Sequence, residues 1–140
     1  MPEHIIDLWA PPSVPDGWTL ARHAHRSPFI WDPALLDLRV LEEQKTVPLE
    51  GHALKRLLNG SAHCSAVLLD YLLLNPTIIP LSWRGKIITF WDTEYETPHG
   101  KRCVRSLFCL FGVWRSRTEL LDFTWHAQKP ALVFRSGEMQ

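Results

Sequence analysis

The chain has 140 residues, 46% of them apolar and 21% charged, with 15 Lys and Arg against 15 Asp and Glu. That length fits one domain and excludes a two-lobed enzyme with a cleft between domains, and the apolar content excludes a disordered chain. Zero net charge argues against a partner held mainly by charge, such as duplex DNA or an anionic membrane.

Residues 1–30 carry Pro2, Pro11, Pro12, Pro15 and Pro28, which disfavour long regular elements. The run from Met1 to Asp7 has neither a basic n-region nor an apolar h-region, so no signal peptide is expected. Trp9, Trp18, Leu20 and the Phe29-Ile30-Trp31 run are costly to leave in water. They predict an irregular arm, 1–30, packed on a single domain, 31–140. Leu35 to Leu41 alternates in part and reads as a strand. Leu54, Leu57 and Leu58 form an apolar stripe that predicts a helix over about 49–59, stopped by Asn59-Gly60. Ser65 is the expected N-cap of a second helix, 65–75, ended by Pro76. The two helices are expected to pack together on one face of a sheet.

From Ile87 onward β-branched and aromatic residues dominate. Ile87 to Glu96, Cys103 to Cys109 and Val113 to Leu121 read as strands, with turns at Pro98-His99-Gly100-Lys101 and Leu110-Phe111-Gly112. Trp125 and Leu132-Val133-Phe134 are expected to tuck the tail back onto these strands. The fold class is therefore α+β: an antiparallel β-meander of three to four strands packed against a pair of short helices, with a Pro-rich N-terminal arm. Cys64, Cys103 and Cys109 are odd in number and fit no zinc or redox spacing, which points to a cytoplasmic setting with free thiols. Ala66 to Leu74 is far shorter than the about 20 residues that span a bilayer, so no membrane association is expected.

Several runs resemble a group of small uncharacterised bacterial proteins. They are Trp31-Asp32-Pro33, Leu69-Asp70-Tyr71-Leu72-Leu73, Asn75-Pro76 with Ile79-Pro80, Trp83-Arg84-Gly85-Lys86, Phe90-Trp91 with Thr93 and Tyr95, and Cys103-Val104-Arg105, followed by Leu121-Asp122 and Pro130-Ala131. The resemblance covers about residues 14–132 and is densest from Leu68 to Arg105. It implies a bacterial origin and one shared domain, and it implies no activity. Asp92 stands where the group has glycine, and Leu110-Phe111 where it has polar turn residues. The second departure puts apolar side chains on a hairpin tip.

Four constellations could carry chemistry. Asp92, Glu94 and Glu96 share one strand face with His99 in the next turn, a weak candidate for carboxylate/His hydrolysis. Spread over about 13 Å, they read more simply as a solvated strand face. His23-Ala24-His25, with His63 and Cys64, has ligand-like spacing, but nothing brings these residues to one place, and neither a metal nor a cofactor is expected. Arg105, Arg115 and Arg117 on strands, interleaved with Trp91 and Trp114, could stack and neutralise single-stranded RNA, or pair with carboxylates across strands. Seven tryptophans are many for this length; Trp31, Trp83 and Trp91 are expected in the core and Trp114 partly exposed. No G-x-S-x-G, phosphate-loop or H-E-x-x-H motif is present. The leading expectation is a non-catalytic interaction module that binds a protein partner or itself through Leu110, Phe111 and Trp114 with Arg105, Arg115 and Arg117. Single-stranded nucleic-acid binding is the alternative and hydrolysis the third reading.

Overall fold

The computed structural model describes residues 4–47, 49–58 and 62–135, so the Asn59-Gly60 stop lies outside the described residues. In chain order the elements are β1 (Ile5–Ile6), β2 (Thr19–His23), β3 (Phe29–Ile30), β4 (Leu36–Arg39), α1 (Glu42–Thr46), β5 (Leu49–Glu50), α2 (Gly51–Leu58), α3 (Ala66–Leu74), β6 (Ile88–Glu96), β7 (Arg102–Leu110), β8 (Val113–Leu120), β9 (Thr124–Trp125) and β10 (Ala131–Phe134). The class is α+β, a largely antiparallel sheet with short helices.

β6 is the axis of the sheet. Every residue from Ile88 to Tyr95 is buried, as a strand covered on both faces requires. β7 and β8 follow as a meander, in unbroken register from Cys103↔Leu120 to Leu110↔Val113. The other edge of β6 is shared. β2, from the N-terminal arm, pairs antiparallel with Thr93–Glu96, and β10, from the tail, lies parallel beside Thr89. β4 then pairs with β10, giving the order β4-β10-β6-β7-β8. The tail is thus an interior strand, with Ala131, Leu132, Val133 and Phe134 all buried.

β6 bulges against β7. From Phe90 to Tyr95 it spends five residues while β7 spends two, from Arg105 to Cys103. The bulge changes which face each side chain meets. Ile88 and Phe90 pack with Leu107 under Leu68, Leu69 and Leu72 of α3. Trp91 and Val104 pack with Trp125 under Leu54 and Leu58 of α2. Neighbours along a strand point to opposite faces, so the two helices cover opposite faces of the sheet rather than forming a pair on one. The reason is that β6, β7 and β10 are apolar on both sides, and each side needs a cover.

The helix starts are satisfied from far away. Ser65 occupies the N-cap position of α3, but its side chain makes no cap bond; the Ala66 N–H donates instead to Thr93 Oγ1 at 2.9 Å. The first N–H groups of α2 donate to main-chain carbonyls, Gly51 to Phe123 and His52 to Leu121. Trp83 and Trp91 are buried as expected. Trp31 is only half-buried, set edge-on to Trp83, because it lies on the rim where the arm meets the domain. No helix among the described residues is long and apolar enough to cross a membrane.

Candidate interaction site

The β7–β8 hairpin closes with the two residues Phe111 and Gly112, at φ +50° and +77°. Positive φ at both central positions is the mirror-image turn whose twist matches the flanking strands. Gly112 adopts it freely. Phe111 does so against the clash of its Cβ, and its ring is 96% exposed. Leu110 and Val113 beside it are also exposed.

Register places Phe108, Leu110, Val113, Arg115 and Arg117 on one face of the hairpin and Leu107, Cys109, Trp114 and Ser116 on the other. Trp114 is half-buried against the cluster beneath α3. On the first face, the Arg117 guanidinium lies over the Phe108 ring, 5.3 Å from its centre. Arg117 also pairs with buried Glu119, which further accepts from Lys129 Nζ at 2.7 Å and Ser106 Oγ at 2.8 Å. Burial alone would raise the Glu119 pKa, but these donors outweigh it and the carboxyl titrates below its ordinary range. Arg105 points inward, donating to Asp70 at 2.6 Å, Ser13 at 3.1 Å and Ser116 at 3.2 Å. Of the three strand arginines, Arg115 is the one without a carboxylate partner among the described residues.

The carboxylates of β6 are not a solvated face. Asp92 is 6% exposed and Glu94 1%. Asp92 accepts from Arg26 at 2.6 Å, while Glu94 meets Lys55 at 2.8 Å, Arg102 at 3.2 Å and Arg22 at 3.9 Å. Burial pushes the Glu94 pKa up, yet Lys55, Arg102 and Arg22 together hold it below the usual carboxylate range. A carboxylate held ionised by three cations has no proton to give as a general acid. Glu96 pairs with Arg102, and His99 is exposed in the turn. His23 and His25 do face each other, ring centres 4.7 Å apart. Among the described residues no group of three His, Cys, Asp or Glu is placed to hold a metal.

The sequence does not reveal a groove of about 770 Å3 at the far end of β8. Trp18 of the arm and Phe123 supply its aromatic walls, Lys101 and Lys129 its charge, and Arg117 to Leu120 its floor. Its signal in the sequence was weak, since Trp18 and Phe123 are 105 positions apart. No family model, curated protein or solved structure is significantly similar to the chain.

Proposed function

We propose that this chain is a non-catalytic protein-interaction module whose contact surface is the β7–β8 hairpin with the adjoining sheet face. One observation carries the reading. Phe111 combines a left-handed backbone, which costs free energy on folding, with an almost fully exposed ring that gains no burial to offset it. Asn would fit the turn better and water better. Leu110, Val113 and Phe108 extend the apolar surface, and Arg115 adds a charge beside it. Exposed aromatics with arginine are the composition of binding hot spots. Nucleic-acid binding is less well supported, since Arg105 and Arg117 are already engaged by Asp70 and Glu119. The bacterial and cytoplasmic setting belongs to the same proposal.

The test places a photo-crosslinking phenylalanine at position 111 and, as a control, at Leu74, which is 82% exposed elsewhere. The expected result in cells is a discrete light-dependent adduct from position 111 and not from 74, suppressed by excess unlabelled wild-type protein and not by F111N. The same F111N variant should be more stable than wild type by about 1 kcal/mol, raising the unfolding midpoint by about 3 °C. Equal adducts at both positions, or a destabilised F111N, would make the tip a structural feature instead.

A further inference from the structure

Among the described residues β8 ends the sheet on its side, with β7 as its single neighbour. Its outward groups follow from the turn. A two-residue hairpin closes on a pair that exchanges both backbone hydrogen bonds, here Leu110 and Val113, and exchanging pairs recur every second residue. The bond from Leu121 N–H to Arg102 O, 3.0 Å, falls on the same series. The N–H and C=O groups of Trp114, Ser116 and Thr118 therefore point away from β7. Among the described residues, no backbone group meets them.

The groove adjoins the C-terminal end of that edge. Arg117, Thr118, Glu119 and Leu120 all line it, and four consecutive strand residues cannot share a face. Thr97, Pro98, His99 and Lys101 line it too, so the groove wraps the C-terminal end of β8 beside the β6–β7 turn and reaches both faces there. Trp18 flanks it on one side and Lys129 on the other.

We propose that the outer edge of β8 binds an extended segment of a partner protein by strand addition, and that the segment alternates acidic and apolar side chains. The proposal rests on reading this end of the sheet as an interaction surface, and names what that surface takes. An added strand sets its alternate side chains beside Arg115 and Arg117 on one face, and beside Trp114, Thr118 and Trp18 on the other. Carboxylates suit the first row, because Arg115 has no acidic partner among the described residues and Arg117 shares the single carboxylate of Glu119 with Lys129. Apolar groups suit the second. A second copy of β8 fits poorly: antiparallel registers centred on Arg115, Ser116 or Arg117 set arginine against arginine.

The test titrates the full chain with four capped octapeptides: alternating Glu and Val, alternating Lys and Val, and two Glu–Val peptides N-methylated at alternate residues, one in each register. The Glu–Val peptide should bind at least about tenfold more tightly than the Lys–Val peptide and than the methylated peptide whose methyl groups face β8, and its binding should slow amide exchange at Trp114, Ser116 and Thr118. R115E should reverse the preference between the acidic and basic peptides. T118P removes an outward N–H while leaving the β7 ladder intact, and should abolish binding with little change in unfolding midpoint; if it does not fold, the methylated peptides carry the same test. Equal affinities for all peptides, no Glu–Val binding at millimolar concentration, preferential binding of oligouridylate, or a dimer of the chain dissociated by T118P would each overturn the proposal. Crosslinking at position 111 that persists while the peptides fail leaves the hairpin surface standing and removes strand addition alone.

Discussion

Gly51 shows how much a single residue can depend on chain far away. It opens α2 with its N–H on Phe123 O, and a Cβ there would sit 2.6 Å from the Leu121 Cα and 2.8 Å from the Leu121 oxygen. In an isolated helix, glycine to alanine is favourable by about 1 kcal/mol. Here the backbone of Leu121 cannot step aside, so Gly51→Ala should lower stability by about 2 kcal/mol, read as a fall of several degrees in the unfolding midpoint. A midpoint at or above that of wild type would mean that the Leu121 segment yields. None of this is visible in residues 49–58 alone, where leucine spacing runs the helix back to Leu49, a residue that in fact pairs with Trp125. Phe111 was more legible, because the tip of a hairpin is exposed whatever surrounds it. Its positive φ was not, since that comes from strands whose register leaves two residues for the turn.

At the scale of the element, β6 is the strand whose sequence was easiest to assign and hardest to interpret. Its β-branched and aromatic run marks it as a strand from either end. The acidic residues at 92, 94 and 96 suggested an outer face, but the bulge between Phe90 and Tyr95 and the arrival of β2, α2 and β7 enclose the first two and leave Glu96 part-exposed. Their partners come from three separate segments, Arg22 and Arg26 from the arm, Lys55 from α2 and Arg102 from β7, so no local pattern announces them. Removing one side of a buried pair leaves the other unpaired. The three cations around Glu94 keep 42–46% side-chain exposure, which softens the penalty for Glu94→Gln to about 2 kcal/mol near neutral pH. Its pH signature has a definite sign. The folded Glu94 and Glu119 titrate below 4.5, so the unfolded chain takes up protons first as the solution is acidified. The stability they contribute is complete above 4.5 and is lost as pH falls through their folded values. E94Q should therefore show a shallower acid limb than wild type, with Glu119 supplying what remains; an unchanged acid limb would show that Glu94 adds no pH-linked stability.

Across the whole molecule, β2 from the N-terminal arm and β10 from the C-terminal part meet on one edge of β6. The class and the three-strand meander were readable from alternation and turns, because they rest on neighbours in sequence. The central place of the tail and the opposed helices were not, because they depend on which face each apolar residue finds once the sheet is assembled. Two histidines sit at these junctions. His23 of β2 bonds Thr93 Oγ1 through Nδ1 at 2.8 Å, and His63, bridged to Val133 of β10, bonds the Leu58 carbonyl through Nε2 at 3.0 Å. Among the described residues the other ring nitrogen of each is buried with no partner. A protonated ring carries N–H on both nitrogens, so protonation would strand a donor in either place. Burial lowers both pKa values from 6.5, with His25 adding to the effect at His23 and Asp92 opposing it at both. In the window below 6.5 the unfolded chain binds protons that the folded chain resists, so stability is full above 6.5 and declines as pH falls toward the folded values. The unfolding midpoint should drop between about pH 7 and about pH 5, before the carboxylates titrate, and more gently in H23Q and H63Q than in wild type. Amide exchange should quicken first in β2 and β10 and last in β7. A midpoint flat across that window, or loosening that begins in β7, would show that β2 and β10 are not held against β6 by neutral histidines.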